Sequence, residues 1–406
     1  MDKISEACFL AKIEEVLTRG VEKIYPSKEA LEKVLRSGKK IRLYQGFDPS
    51  MPNLHLGNMV GILKLKQFQD LGHEVIFLVG DFTGMIGDPT DKTSTRHLLT
   101  RKQVLSNAKN WRSQAGKILN FNGKNPAKIM FNSIWNDKIN FKSLIEITSK
   151  FTVQQMLERD FFQQRLKTGR PIHLHEFLYP VAQAIDCVEM DVDLEIGGSD
   201  QTFNMLCGRT LMKALKNKEK FVLTTKLLVD SKGEKVGKTA ENALFLNASP
   251  QDMFGGIMSF PDEVIILGFE LLAEVPLQII KEHEKALQMS KVNPMELKKQ
   301  LAFEIVKMYH GEKSAKNAEK EFKKVFQKRE IPSKMPTFQT PKKSYNIIDL
   351  LVETKLAPSR SEAKRLIEQK AVELDGKLIT NHQSLITIKN GMTIRVGKRR
   401  FIKIRL

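Results

Sequence analysis

The stretch from residue 41 to residue 79 constrains the fold more than any other part of the chain. Residues 41–47 have the pattern of a buried strand, residues 57–71 have helical spacing, and residues 75–79 form an apolar run of strand length. Parallel strands need a crossover connection, and a strand, a helix and a strand joined by short links supply one. The chain is therefore predicted to be an α/β protein with a Rossmann-type parallel sheet.

Polar clusters follow both of these strands, at residues 44–58 and 80–89. Ligands of parallel sheets bind beyond the carboxyl ends of the strands, so both clusters are expected at one edge. His55 lies where a strand gives way to a helix, a natural place to bind an anion. A lone histidine is usually a capping or surface residue, but the spacing Pro-x-x-x-x-His-x-Gly favours function here.

Three residues close to His55 in the sequence also suit a nucleotide site. Gly57 removes a side chain where a nucleotide ring would pack on the backbone. Asn58 presents an amide to a ribose hydroxyl or caps the helix, and Ser50 is placed to bond the same phosphate as His55.

A second motif, Lys235-Val-Gly-Lys238-Thr239, lies far downstream. Two ammonium groups on a glycine-containing loop suit charge that develops on a phosphate during a reaction. The motif alone is weak, because solvated loop lysines are common; the preceding residues 226–233, which resemble a strand and a tight turn, add weight. The chain contains no G-x-x-x-x-G-K-[ST] motif. Together the two motifs indicate ATP chemistry without a P-loop.

A third group of polar residues lies on an apolar background. Tyr179, Gln183 and Asp186 fall at i, i+4 and i+7 of a predicted helix and share one face. Buried polar groups need partners, so they either bond to one another or bind a polar ligand. An amino acid would use a carboxylate for its ammonium group, an amide for its carboxylate, and a Tyr/Asp pair for a phenol.

Composition changes along the chain divide it into four parts. Helices are predicted at 3–37, with a break at 25–26, and at 101–120 and 141–168, and strands at 128–131 and 193–196. The predicted parts are a catalytic domain at 1–246, an all-α domain at 247–329, a proline-containing linker at 330–344 and a small α+β domain at 345–406.

Net charge and cysteine content indicate the kind of binding partner and the cellular compartment. The 406 residues carry a formal net charge of +19, which suits a polyanionic partner and favours nucleic acid over a membrane. The three cysteines form no C-x-x-C pair, so a reduced cytoplasm is expected and a structural zinc site is not. No signal peptide or membrane-spanning run is evident in the sequence.

These motifs resemble those of bacterial tyrosyl-tRNA synthetases, a family of class I aminoacyl-tRNA synthetases. His55-Leu-Gly57-Asn58 resembles the family's His-Ile-Gly-His signature, and residues 235–239 resemble its Lys-Met-Ser-Lys-Ser signature. Residues 80–89, 179–186 and 197–201 resemble stretches around the tyrosine site. The sequence departs from the first signature at Asn58, which stands in place of the second histidine. A Gly-Asn ending also occurs in tryptophan enzymes of this class.

The resemblance implies roles for particular side chains. The tyrosine-binding set is Tyr44 and Asp186 at the hydroxyl, Asp88, Tyr179 and Gln183 at the ammonium group, and Gln201 near the carboxylate. The ATP-binding set is Gly46, Asp48, His55, Gly57, Asn58, Gly198, Asp200 and Lys238. The set that stabilises the leaving pyrophosphate is Ser50, His55, Lys235, Lys238 and Thr239.

The last segment resembles an S4 RNA-binding domain. Ser359 is a plausible N-cap, and three cations on the following helix can reach phosphates. Lys403 and Arg405 are expected on the strand face opposite Ile402, Ile404 and Leu406. The RNA-binding set is Arg360, Lys364, Arg365, Lys403 and Arg405, although a charged strand edge is the simpler interpretation of the last two.

The resemblance implies a two-step reaction. Tyrosine and ATP, with Mg²⁺, give tyrosyl-adenylate, and tRNA(Tyr) then accepts the tyrosine; the expected assembly is a homodimer. Three alternatives stay open: a tryptophanyl-tRNA synthetase, a non-catalytic S4-containing RNA-binding paralogue, and a class I-like nucleotidyltransferase that does not use tRNA.

Overall fold

A computed structural model of the chain describes residues 3–88, 98–236, 243–327, 335–397 and 400–406. The chain divides into two compact units, Met1–Lys316 and Asn317–Leu406. The first unit thus contains both the predicted catalytic part and most of the predicted helical part. The finer division into four parts stays a prediction.

A six-stranded sheet forms the centre of the first unit. Its strands are β1 (Val21–Tyr25), β2 (Arg42–Phe47), β3 (Glu74–Val79), β4 (Lys128–Phe131), β5 (Leu194–Gly198) and β6 (Phe221–Thr225). Their spatial order is β1-β6-β5-β2-β3-β4, and every pairing is parallel except β1 with β6. The predicted parallel sheet and its βαβ unit are confirmed.

Helices surround this sheet. In chain order they are α1 (Lys3–Thr18), α2 (Lys28–Arg36), α3 (Leu56–Asp70), α4 (Thr83–Ile86), α5 (Arg101–Ala108), α6 (Trp111–Ala115), α7 (Ser133–Asn136), α8 (Phe141–Thr148), α9 (Val153–Leu157), α10 (Asp160–Lys167), α11 (Leu174–Glu189) and α12 (Thr202–Lys216). β3 is buried at nearly every position, which explains its continuous apolar run, since parallel strands are covered on both faces.

A helical segment follows the sheet within the same unit. Its helices are α13 (Pro250–Ile257), α14 (Ile265–Leu272), α15 (Leu277–Gln288) and α16 (Pro294–His310), and α17 (Glu312–Phe322) runs on into the second unit. Ser249 caps α13 by accepting a hydrogen bond from the Asp252 N–H at 3.1 Å, and Pro250 occupies its first turn. The predicted helical character after residue 246 is confirmed for the described residues.

Two expectations for the first unit are wrong in detail. The segment 3–37 is not helical throughout, because Val21–Tyr25 forms edge strand β1 against β6. The strand expected within residues 226–233 lies earlier, at Phe221–Thr225, and Val229 makes an isolated bridge to Lys235. Both errors have one cause: partners distant in the chain decide which short apolar run pairs.

The second unit is an α+β structure. Its elements are β7 (Thr337–Gln339), β8 (Ser344–Asn346), α18 (Ile347–Glu353), α19 (Arg360–Glu368), β9 (Val372–Leu374), β10 (Lys377–Leu378), β11 (Leu385–Thr387), β12 (Thr393–Val396) and β13 (Arg400–Arg405). One sheet has the order β10-β9-β12-β13-β7, and β8 pairs with β11. Asp375-Gly376, both at positive φ, form the turn between β9 and β10.

Two details of the second unit differ from expectation. The segment predicted as a linker contains β7, which pairs in parallel with β13 and places Phe338 against the core. Leu406 is 50% exposed and does not join Ile402 and Ile404 in the core.

Among the described residues, no helix combines the length and apolar character that crossing a membrane requires.

Candidate active site

The candidate site lies where the strand order of the sheet reverses. β2 continues to β3 and β4 on one side, whereas β5, its other neighbour, continues to β6. Beyond the carboxyl ends of such strands is the usual ligand-binding crevice of an open α/β sheet. A cavity of about 250 Å³ occupies this position.

The cavity brings together all the predicted tyrosine- and ATP-site residues that the structure describes. Those lining it are Tyr44, Gly46, Asp48, Ser50, His55, Gly57, Asn58, Asp88, Tyr179, Gln183, Asp186, Gly198, Asp200, Gln201 and Lys235. Lys238 and Thr239 lie outside the described residues. The two motifs and the polar helix face therefore converge on one pocket, while the role of each side chain stays a prediction.

His55 is held at the start of α3. Its backbone N–H donates to Asn58 Oδ1 at 3.0 Å, so Asn58 caps the helix. The chain around His55 also pairs with a later segment, because the Leu56 N–H donates to the Leu244 carbonyl at 3.0 Å. A Cβ at Gly57 would lie 2.9 Å from the imidazole of His55. Gly57 thus leaves room for the histidine ring itself, which sequence reasoning did not foresee.

Asp48 links the end of β2 to α11 and α4. Tyr179 OH donates to Asp48 Oδ2 at 2.8 Å, and Thr83 Oγ1 donates to Asp48 Oδ1 at 2.7 Å. A residue predicted for the amino acid and one predicted for the adenylate therefore touch directly. The two predicted subsites are continuous.

Asp88 and Gln201 form a second contact across the cavity. Gln201 Nε2 donates to Asp88 Oδ2 at 2.6 Å, and Gln201 Oε1 accepts from Asn204 Nδ2 at 2.9 Å. The guanidinium group of Arg159 lies 3.6 Å from Asp88 Oδ1. This geometry places a carboxylate and an amide side by side, as binding of an amino acid's charged end requires.

Asp200 and Lys235 meet at the rim of the cavity. Lys235 Nζ lies 2.7 Å from Asp200 Oδ2, and the two side chains are 22% and 17% exposed. We call this contact the rim pair. It joins the downstream lysine motif to the segment that follows β5.

Asp186 is buried beneath the cavity and receives three N–H donors. Trp135 Nε1 and Asn136 Nδ2 donate to Oδ1 at 2.7 Å and 3.1 Å, and Asn132 Nδ2 donates to Oδ2 at 3.2 Å. Burial raises the pKa of Asp186 well above its usual range, while these three donors act in the opposite direction. The donors all come from 132–136, at the end of β4, a stretch that the sequence did not single out.

Tyr44 and Gln183 share one partner that sequence reasoning also missed. Tyr44 OH donates to Glu195 Oε1 at 2.6 Å, and Gln183 Nε2 donates to the same oxygen at 2.9 Å. Glu195 forms a buried ion pair with Lys220, which we call the deep pair. A charged residue inside the otherwise apolar strand β5 was the available signal.

The predicted RNA-binding residues lie in the second unit. The side chains of Arg360, Lys364 and Arg365 are 68%, 51% and 63% exposed on α19. Each contacts an acidic neighbour: Arg360 contacts Asp349, Lys364 contacts Glu368 and Arg365 contacts Glu362. Lys403 and Arg405 alternate with buried Ile402 and Ile404 on β13. The five cations are thus accessible to an anion.

Comparison with known sequences assigns the family. Residues 36–327 match the family described as tRNA synthetases class I (W and Y), and residues 327–404 match a Tyrosine--tRNA ligase SYY-like C-terminal domain. The chain is 42% identical over 391 residues to a tyrosine--tRNA ligase from Thermotoga maritima, covering 96% of each chain. The chain belongs to the tyrosine–tRNA ligase family of class I synthetases.

Further relatives agree with this assignment. The chain is 43% identical over 401 residues to tyrosine--tRNA ligase 2 from Vibrio cholerae serotype O1, covering 97% of this chain and 99% of the relative. Among solved structures, a C-terminally truncated mitochondrial tyrosyl-tRNA synthetase from Coccidioides posadasii superimposes with a TM-score of 0.62 at 26% identity. The superimposed region covers 77% of this chain and 91% of the solved chain. The resemblance inferred from the motifs is confirmed at the level of the family.

Proposed function

We propose that this chain activates L-tyrosine with ATP and transfers it to tRNA(Tyr). One observation carries the proposal: a single cavity at the switch point of the sheet holds His55, the rim pair and the Tyr179–Gln183–Asp186 face. A pocket that binds only a nucleotide needs no such helix face. A pocket that binds only an amino acid needs no lysine motif.

The amino acid occupies the deeper half of the cavity in this proposal. Tyr44 and Asp186 are both fully buried and bind the phenol, as a hydroxyl-specific site requires. Asp88, Tyr179 and Gln183 surround the ammonium group, and Gln201, in contact with Asp88, lies near the carboxylate. An indole has one donor and no acceptor, which makes tryptophan the poorer fit to this pair of oxygen groups.

ATP occupies the outer half. Gly46, Gly57 and Gly198 leave space for the nucleotide, with Asp48 and Asp200 on the adenylate and Asp200 on the ribose. Asn58 is assigned to the nucleotide through its side-chain amide, because its Oδ1 already caps α3. Mg²⁺ enters with ATP as part of the substrate.

Catalysis is assigned to positioning and electrostatics. The tyrosine carboxylate attacks the α-phosphorus of ATP, the bond to the β-phosphate breaks, and pyrophosphate leaves with the electron pair. Ser50, His55, Lys235, Lys238 and Thr239 stabilise the charge that develops on the departing phosphates. No covalent enzyme intermediate is needed, since the two substrates react directly when they are held in line.

The second step needs tRNA. A hydroxyl of the terminal ribose attacks the activated carbonyl, and AMP leaves. The exposed cations Arg360, Lys364, Arg365, Lys403 and Arg405 of the second unit are assigned to RNA phosphates, in the manner of an S4 domain.

A homodimer is also proposed. Large apolar side chains are exposed along α8 to α11, among them Phe141 at 78%, Val153 at 69% and Leu174 at 80%. Isolated exposed apolar residues are ordinary, but several on one stretch favour a protein interface. Sedimentation of the full chain tests this assignment, and a monomer at micromolar concentration would contradict it.

ATP–pyrophosphate exchange with each amino acid tests the function. Tyrosine alone should support exchange, and Asp186→Asn should lower kcat/KM for tyrosine about a hundredfold, because a hydrogen-bond partner of the substrate hydroxyl is lost from a buried site. Asp191→Asn is the matched control, since Asp191 lies just beyond the same helix and is half exposed. Exchange with tryptophan in place of tyrosine, or no exchange at all, would refute the proposal in favour of the alternatives.

A further inference from the structure

The deep pair lies behind the cavity wall and is completely satisfied by the protein. Lys220 is fully buried and Glu195 is 1% exposed. Lys220 Nζ donates to Glu195 Oε2, to the Met205 carbonyl at 3.0 Å and to Cys187 Sγ at 3.0 Å. An ammonium group has three protons, and each has an acceptor here.

The backbone nearby is shaped to admit this pair. A Cβ at Gly208, on α12, would lie 2.6 Å from Lys220 Nζ and 2.6 Å from Cys187 Sγ. Any side chain at this position would displace the lysine. The glycine therefore marks a space that the folded chain reserves for the ion pair.

The charges of the cluster follow from its surroundings. Burial by itself lowers the pKa of Lys220, but the charge of Glu195 and the hydrogen bonds to Glu195 and Cys187 outweigh burial, and the net direction is upward. Burial raises the pKa of Cys187, so its thiol keeps its proton. Glu195 lies in direct contact with the ammonium group as the carboxylate of an ion pair, and a carboxylate only accepts hydrogen bonds.

This charge state fixes the hydrogen-bond direction at Tyr44. Tyr44 and Glu195 are register partners on β2 and β5, so their side chains lie on the same face of the sheet. The hydroxyl has a single proton, and the carboxylate 2.6 Å away takes it. On the side of the cavity, the oxygen of Tyr44 therefore offers only lone pairs and can only accept a hydrogen bond. Gln183 is fixed in the same way, with its nitrogen toward Glu195.

We propose that the deep pair determines amino-acid specificity by holding the hydroxyl proton of Tyr44, so that Tyr44 acts as an acceptor toward the substrate side chain. The site then selects para substituents that carry a proton. Glu195 and Lys220 are positioning residues in this account, because neither lines the cavity. The inference rests on the proposed function and deepens it.

Pyrophosphate exchange with para-substituted substrates tests the inference. The parent should use 4-aminophenylalanine, whose substituent donates, about tenfold better than 4-fluorophenylalanine, whose substituent does not. Glu195→Gln/Lys220→Met removes both charges, and its amide can donate to Tyr44 and release the hydroxyl proton. The preference should then fall about tenfold, toward equal use of the two analogues.

A purely structural role predicts a different result. It would lower kcat/KM for tyrosine and for both analogues together and leave their ratio unchanged, which would overturn the inference. The matched control is Arg165→Met/Glu176→Gln, which removes another buried pair, 5% and 4% exposed, that does not line the cavity. Its preference should equal that of the parent.

Two outcomes separate this inference from the proposed function. If the parent exchanges with tyrosine but uses the amino and fluoro analogues equally, the inference fails and the function stands. This measurement needs no variant, so it can overturn the inference even if the double variant does not fold. If the parent shows no tyrosine exchange, both fail.

Discussion

The deep pair, which lies behind the wall of the cavity, and the rim pair, which lines the cavity, join the same kinds of group. Lys220 and Glu195 are 0% and 2% exposed, whereas Lys235 and Asp200 are 22% and 17% exposed. The deep pair is locked by further acceptors on its ammonium group. The rim pair connects the first lysine of the downstream motif to the segment that follows β5.

The difference teaches that depth decides what a lysine–carboxylate pair can do. A buried pair is costly to break, because the remaining charge keeps its full desolvation penalty, so it suits a fixed structural role. A partly exposed pair contributes little to stability and opens at low cost. In the proposed reaction Lys235 exchanges Asp200 for a phosphate, while Lys220 stays in place.

Breaking the deep pair should have the largest effect. Lys220→Met leaves the Glu195 carboxylate buried without its cation, and the free energy of unfolding should fall by about 3–5 kcal/mol. Urea unfolding followed by circular dichroism measures the change. The double variant Glu195→Gln/Lys220→Met should recover part of the loss, and a single variant as stable as the parent would contradict the comparison.

Breaking the rim pair should change the rate instead. Lys235→Ala should lower kcat for tyrosine activation about a hundredfold, because a donor to the developing phosphate charge is lost. Its free energy of unfolding should change by less than about 1 kcal/mol. Stopped-flow measurement of adenylate formation provides the rate. Lys232→Ala removes an equal charge from the same exposed turn and should leave kcat unaltered; a comparable loss there would argue against a specific role.

His73 sharpens the comparison, because it is buried as a neutral group. It is 5% exposed, its Nδ1 accepts from the Ile41 N–H at 3.5 Å, and burial, assisted by Lys40, lowers its pKa to about 4. The unfolded chain therefore binds a proton that the native state excludes. Its contribution to stability is complete above the unfolded pKa and is lost as the pH falls toward 4.

The corresponding measurement compares unfolding at two pH values. Between pH 7.5 and pH 5 the parent should lose about 2 kcal/mol from this group. His73→Gln should show a smaller pH-dependent loss than the parent by about that amount. Equal losses in the two proteins would show that His73 does not titrate on unfolding.

The ion pairs on α19 of the second unit are more exposed than the deep pair and the rim pair, so breaking them should affect stability least. Arg365→Gln breaks its contact with Glu362 and should change the free energy of unfolding by less than about 0.5 kcal/mol. The slope of log binding constant against log salt for tRNA should fall by about one. Fluorescence anisotropy at several salt concentrations measures it. Lys377→Gln, on β10, is the control, and identical slopes for all three proteins would remove Arg365 from the RNA-binding set.

Local sequence patterns predicted the sheet and the location of the site. The apolar runs of β2 and β3 and the helix between them are continuous in the chain, and Tyr179, Gln183 and Asp186 share one face of one helix. The family resemblance supplied the substrates and the proposed roles. These features depend on neighbours within a few turns or on motifs with fixed spacing.

Long-range pairing was beyond local patterns. β1 is a strand because β6 lies beside it, and the proton of Tyr44 is directed by a glutamate 151 residues away. The three donors to Asp186 come from the end of β4, whose sequence has no unusual spacing. Such contacts follow from the tertiary arrangement, which no single segment encodes.

The parallel pairing of β7 with β13 affects how this protein is best dissected. A fragment that begins at residue 345, where proline content suggests a boundary, would lack the strip of chain that covers one side of Arg400–Arg405. The backbone amides and carbonyls of β13 would then be unpaired, and the loss of Phe338 would expose part of the core. Both changes favour self-association of the fragment. A fragment that begins upstream of Thr337 keeps the edge of β13 paired. Light scattering of the two fragments would compare their molar masses and show which one self-associates.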